Sequence, residues 1–210
     1  MQPFEYPVQF SVDYPDRPLD RVTTALRIFT VIPIAIVLGA VTGATWQTSQ
    51  GHTMRTIAWG AGGLLVVAPA LMILFRRVYP RWWFDWNLEL QRFVNRVTCY
   101  LALMNDRYPS TTDHQAVHLA YSYPDAARDL NRWLPLVKWL LAIPHYVVLF
   151  FLDIGAVLAV IGAWFAILFT GRYPHAIFAF VEGVLRWHNR VLAYAFLMVT
   201  DAYPPFRRAA

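Results

Sequence analysis

The chain repeats itself. From Ile73 to Met104 a constant shift of 94 residues gives thirteen identities in thirty-two positions without a gap. Arg92, Asn95-Arg96-Val97, Tyr100 and Leu103-Met104 recur as Arg186, Asn189-Arg190-Val191, Tyr194 and Leu197-Met198. Tyr79-Pro80 recurs as Tyr173-Pro174, and Asp106 with Tyr108-Pro109 matches Asp201 with Tyr203-Pro204 after one insertion. Further upstream, Tyr14-Pro15-Asp16 returns as Tyr123-Pro124-Asp125 and Ile32-Pro33 as Ile143-Pro144. Chance likeness between apolar segments yields shared Leu and Val. Shared Asn-Arg, Tyr-Pro and Asp mark a tandem duplication, with residues 1–110 as one unit and 111–210 as the other.

Each unit reads as the same succession of pieces. Val8, Phe10 and Val12 alternate with polar residues, as do Val117, Leu119 and Tyr121, which predicts a short strand ended by Tyr-Pro-Asp. Two apolar runs follow in each unit: 28–45 and 57–75 in the first, 134–152 and 154–170 in the second. Each is 17 to 19 residues, about the minimum for a helix across a ~30 Å hydrocarbon core. Between Trp139 and Thr170 the only charge is Asp153, so a hairpin turning at Asp153-Ile154-Gly155 divides a stretch too long for one crossing. After each Tyr-Pro comes an amphipathic helix, over 82–104 and 176–200. Asp85, Glu89, Arg92 and Arg96 share one face of the first, and Glu182, Arg186 and Arg190 one face of the second.

Composition places the unit in a membrane. Hydrophobic residues make up 58% and charged residues 15% of the chain, where a soluble domain carries about 45–50% and about 25%. Aromatics at 16% and the single cysteine, Cys99, exclude disordered and disulfide-stapled classes. The net charge of +5 comes from arginines dispersed at the borders of apolar runs, without the dense block or stripe that tracks a phosphate backbone, so no nucleic acid is expected. The N-terminus lacks the charged and apolar regions of a cleaved signal peptide. With four spans, Arg55 alone falls on the outer side, and the positive-inside rule puts both termini in the cytoplasm. The expected fold is therefore an all-α membrane protein. It has four transmembrane helices as two tandem hairpins, each followed by a cytoplasmic helix lying flat at the headgroups, with a short strand opening each repeat.

The candidate sites each carry two readings. Arg92, Arg96, Arg186 and Arg190 could hold lipid phosphate, because a guanidinium fork suits a phosphate at headgroup level. Alternatively they pair with Glu89 and Glu182, or with Asp106 and Asp201, and together with Asn95 and Asn189 tie helix to hairpin. His145, after Pro144 and inside the third span, is either a haem ligand or proton relay, or a neutral group hydrogen-bonded to a carbonyl freed by the proline kink. Gly60, Gly62 and Gly63 permit close helix packing. His114 and His118 are spaced i, i+4, but on a strand this makes a weak metal site. No phosphate loop, dinucleotide fingerprint, zinc-protease motif or nucleophile–base pair occurs, so no catalytic residue, metal or cofactor is expected.

The run from Arg132 through Trp133, Pro135, Lys138, Trp139, Pro144 and His145 to Tyr146, followed by Phe169-Thr170-Gly171-Arg172-Tyr173-Pro174, resembles a bacterial membrane family catalogued as domain of unknown function 4389. The first repeat is similar more loosely: Arg27-Ile28-Phe29 replaces the Val-Lys-Trp stretch, and Ile34 replaces the histidine. The resemblance implies a membrane architecture and transfers no catalytic residue. The expected function is a non-enzymatic scaffold or accessory subunit in the bacterial cytoplasmic membrane, partnered by lipids and by other subunits or copies of itself. Lipid binding or transport through the paired arginine helices is one alternative, and a redox subunit with a haem or quinone near His145 another.

Overall fold

A computed structural model describes residues 6–42, 67–111, 113 and 115–209. The predicted strands form, as β1 (Val8–Val12) and β2 (Val117–Tyr121), and they pair with each other, antiparallel, with Phe10 opposite Leu119. The sheet thus joins the two repeats. Alternation decides its faces: Val8, Phe10, Val12, Val117, Leu119 and Tyr121 are buried, and the residues between them face outward.

Short helices α1 (Arg21–Ala25), α2 (Arg27–Thr30) and α3 (Ile32–Thr42) follow β1. Asp20 caps α1, its carboxylate accepting from the Val22 and Thr23 amides. The apolar segment α4 (Val67–Arg76) ends in a π-turn, and α5 (Arg81–Leu101) completes the first repeat. In the second repeat a 3₁₀ turn at Leu134–Leu136 leads into α6 (Lys138–Leu141), α7 (Ile143–Thr170) and α8 (His175–Ala195). Both final helices begin after Pro80 and Pro174, extended residues that fit the start of a helix.

The layers cross over between repeats. β1 packs on α8 and β2 on α5, so each strand lies on the helix of the other half. Inward side chains of the sheet meet Phe84, Cys99, Phe178 and Val181 in one core. Behind that layer, α7 packs along α8 through Leu149, Trp187 and Val191. α3 packs on α5 through Val31, Ile34, Phe93 and Val97. The order from one side to the other is polar sheet face, α5 and α8, then apolar helices.

Three expectations are corrected. The third apolar run from Ile143 onward and the whole of the fourth are one uninterrupted helix, α7, with no hairpin at Asp153. Asp153 instead lies 3.4 Å from His188 of α8, and Gly155 lies beside the Phe180 ring. Among the described residues α7 is the one helix long and apolar enough to cross a membrane, so four spans in two hairpins do not stand. The topology inferred from arginine counts loses its premise with them. Finally, α5 and α8 do not lie bare at a headgroup layer: they sit between sheet and apolar helices and are buried on more than one face. The loop 43–55 and Gly60, Gly62, Gly63 and His114 lie outside the described residues.

Candidate functional site

Two polar residues shared by the repeats come together where α5 and α8 meet. Asn95 and Asn189 face each other and exchange hydrogen bonds, Nδ2 to Oδ1, at 2.9 and 2.8 Å. Each also donates one turn back along its own helix, to Gln91 and Leu185. Two buried amides thereby satisfy each other, as burial requires. This reciprocal pair marks the pseudo-twofold relation between the halves.

A two-stranded sheet has two unpaired edges, and the arginines cover both. Arg92 Nε donates to the Leu119 carbonyl of β2 at 3.0 Å, and Arg186 Nε to the Phe10 carbonyl of β1 at 2.8 Å. Arg92 is further held by Glu89, Arg186 by Glu182, and the Glu182 carboxylate also accepts from the Val12 amide at 3.3 Å. Arg96 donates to the Ser110 carbonyl at 2.7 Å and Arg190 to the Arg207 carbonyl at 3.2 Å. The candidate phosphate-binding forks are thus engaged with backbone oxygens, and Arg96 and Arg190 are buried.

Asp106 and Asp201 take different partners. Asp106 binds Arg27 at 2.7 Å and Asp201 binds Lys138 at 2.6 Å, tying the end of each half to the start of its apolar helices. Arg27 also donates to the Tyr100 and Asn105 carbonyls and lies over the Tyr100 ring, 4.1 Å from its centroid. Lys138 donates to the Thr200 carbonyl and lies 5.2 Å over Tyr194. Burial pushes the Lys138 ammonium below its usual pKa, and the hydrogen bond to Asp201 opposes that shift. Sequence reasoning passed over both cations, although Arg27 and Lys138 stand at equal distance before the two Ile-Pro pairs.

The Tyr-Pro residues form a further symmetric set. Tyr79 donates to the Leu197 carbonyl at 2.8 Å and Tyr173 to the Ala102 carbonyl at 3.2 Å, crossing between halves. Burial raises both phenols above their ordinary range, so they remain donors. Tyr123 and Tyr14 in turn donate to the carbonyls of Tyr79 and Tyr173.

His145 breaks the symmetry. It is fully buried, stacked on Phe206 at 4.0 Å, and its Nδ1 accepts from the Trp187 indole at 3.1 Å. Among the described residues, Nε2 lacks a partner. Ile34 stands at the same place in the first half, among Phe93 and Val97. Among the described residues no three His, Cys, Asp or Glu side chains group as a metal site, and His118 instead contacts Asp13.

From Arg132 to Arg207, then, one stretch supplies Lys138, Asp201, the caged histidine and half of the asparagine pair. Residues 132–207 match the family described as Domain of unknown function (DUF4389). No curated protein and no solved structure is detectably similar to the chain. The DUF4389 match covers the part of the second repeat that holds α7 and the aromatic cage, and leaves β2 and the looser first repeat outside it.

Proposed function

We propose that the protein is a non-enzymatic scaffold or accessory subunit, held in the bacterial cytoplasmic membrane by its apolar helical face and joined there to other subunits or to copies of itself. The observation that carries this reading is α7. It is 28 residues long, only 11% of its most apolar stretch is buried, and Phe150, Phe151, Val157, Leu158, Ile161, Phe165 and Phe169 are exposed along it. A core helix of that composition would be covered on all sides. At ~1.5 Å per residue it is ~42 Å long, more than the ~30 Å hydrocarbon thickness, which a tilted helix accommodates. Ile28, Phe29, Ile36 and Phe75 of the first half are exposed as well, and such an area exceeds what soluble monomers leave bare. The arginines of α5 and α8, by contrast, each donate to a backbone carbonyl of the chain, which favours a structural over a catalytic role.

Two measurements test the reading. Leu158, 64% exposed, is changed to Arg: in water this costs within about 0.5 kcal/mol, whereas at bilayer depth it costs about 2.5–3.5 kcal/mol. Loss of carbonate-resistant membrane retention is expected, and unchanged retention overturns the membrane reading. Extraction of the tagged chain in mild detergent, followed by mass spectrometry, should return a stoichiometric partner or a homo-oligomer. A monodisperse monomer alone overturns the scaffold reading.

A further inference from the structure

A cavity of about 290 Å³ lies between α1–α2, the C-terminal end of α5 and the C-terminal half of α7. Its walls are apolar, formed by Leu101, Leu103, Val160 and Trp164, and its rim residues Ile28 and Ile161 are exposed on the apolar side of the molecule. Leu103 is held in the left-handed region, φ 63°, at this wall. Such backbone strain persists only where the surroundings enforce it. The Trp164 indole donates to the Thr24 carbonyl at 3.2 Å and fixes α1 against α7.

Two polar side chains line this greasy space, Thr24 and Arg27, 0% and 2% exposed. Among the described residues, Thr24 Oγ1 and Arg27 Nε have no partner. Buried polar atoms are ordinarily paired, so two orphans on neighbouring residues of one cavity wall call for an acceptor beyond the described residues. The rest of the Arg27 guanidinium is taken by the Tyr100 and Asn105 carbonyls and by Asp106, which matches its charge. A neutral carbonyl oxygen therefore suits the site better than an anion. At the equivalent place in the second half stand Pro135, which has no donor, and Lys138, whose ammonium is bonded to Thr200 and Asp201. The donor pair belongs to the first half.

We propose that this cavity holds the carbonyl end of one acyl chain of a membrane glycerolipid, its ester oxygen accepting from Arg27 Nε and Thr24 Oγ1 and its methylenes running along Val160 and Trp164. The volume is at the lower edge of the roughly 300–1,000 Å³ of small-molecule sites. It takes the head of the chain while the remainder leaves over Ile28 and Ile161. The proposal rests on the reading that the outer face of α7 meets lipid.

The test reconstitutes the full chain in phosphatidylcholine vesicles doped with phosphatidylcholine bearing a diazirine near the carbonyl of one acyl chain. After irradiation, labelled peptides are mapped by mass spectrometry. Labelling at Leu103 and at Val160–Trp164 is expected. Thr24→Val should lower it about fivefold, the loss of one hydrogen bond, and Ile161→Phe, which fills the rim from an exposed position, should lower it as well. Labelling at Phe150 and Phe151 should persist in both variants. Labelling at Phe150 and Phe151 with none at Leu103, or labelling at Leu103 that both variants leave unchanged, overturns the cavity assignment alone. No labelling at Phe150 and Phe151 overturns the lipid-facing reading and the cavity assignment with it.

Discussion

Arg27 in the first half and Lys138 in the second occupy one position of the repeat, and each reaches an aspartate late in its own half, Asp106 or Asp201. Around them the halves diverge. The second half surrounds its cation and His145 with Trp187, Tyr194, Tyr203 and Phe206, a closed aromatic packing. The first half has Ile34 in place of the histidine and leaves the cavity beside Arg27. A comparable contrast holds at the sheet edges. Arg186 and Arg190 bind the carbonyls of Arg208 and Arg207, the tail lying over Gly183, whereas Arg92 and Arg96 line an open groove of about 440 Å³. Duplication has kept the pairings that hold the layers together and released the spaces beside them in the first half. Conserved geometry with altered filling is how one scaffold acquires two faces.

The largest effect should come from removing the acid of each cation pair. Asp201→Ala leaves Lys138 buried and uncompensated, at a cost of about 3–5 kcal/mol, and Asp106→Ala does the same to Arg27. Denaturation across pH separates them. The folded pKa of Lys138 is lowered by burial from 10.5. Between that lowered value and 10.5 the unfolded chain carries a proton that the fold does not, and stability rises with pH through this window. Asp201→Ala should therefore recover part of its loss toward pH 10.5. Asp106→Ala should not, because a guanidinium keeps its proton. Equal pH profiles would mean the two cations are equivalent after all.

Next in size is the axis between the halves. Asn95→Ala strands the Asn189 amide and should cost about 1–3 kcal/mol, as should Asn189→Ala. In a double-mutant cycle the second change should cost much less than the first, while additive losses would break the assignment of a reciprocal pair. Smaller still, His145→Ile makes the second half like the first and strands only the Trp187 indole, a loss of about 1 kcal/mol measured by chemical denaturation. The smallest effect belongs to the helix ends. Gly171 and Arg77 stand at the same repeat position with φ 73° and 51°. Gly171→Ala should lower stability by about 1 kcal/mol, and Arg77→Gly should raise it by about 0.5 kcal/mol, both read from the melting temperature.

The repeat, both strands and both amphipathic helices were legible because each rests on local periodicity. Val8, Phe10 and Val12 alternate whatever lies across from them. What sequence did not show was partnership. Asp153 and Gly155 have turn chemistry when read alone, and only the nearness of His188 and Phe180 on α8 explains why a helix runs through them. The arginine stripe of α5 and α8 has the pattern of a wet surface, yet Arg96 and Arg190 are buried, bonded to carbonyls 14 and 17 residues further on. Periodicity tells polar from apolar, and a polar stripe facing a sheet edge looks the same as one facing water. The lysine at position 138 went unread for a similar reason, since its acid lies sixty-three residues later, at Asp201.

The exchange of strands between halves also has a consequence in time. The Phe10 carbonyl meets Arg186 across 176 residues of chain. At about 5–20 residues per second, a ribosome needs about 9–35 s to travel from one to the other. During that interval β1 has left the tunnel without the helix that covers it. Its first occasion to be paired is the emergence of β2, and its inner face stays open until α8 follows. Between the synthesis of β1 and that of α8, Val8, Phe10 and Val12 therefore lack the helix that covers them in the fold, and whatever shields them then, lipid or chaperone, acts before the fold exists.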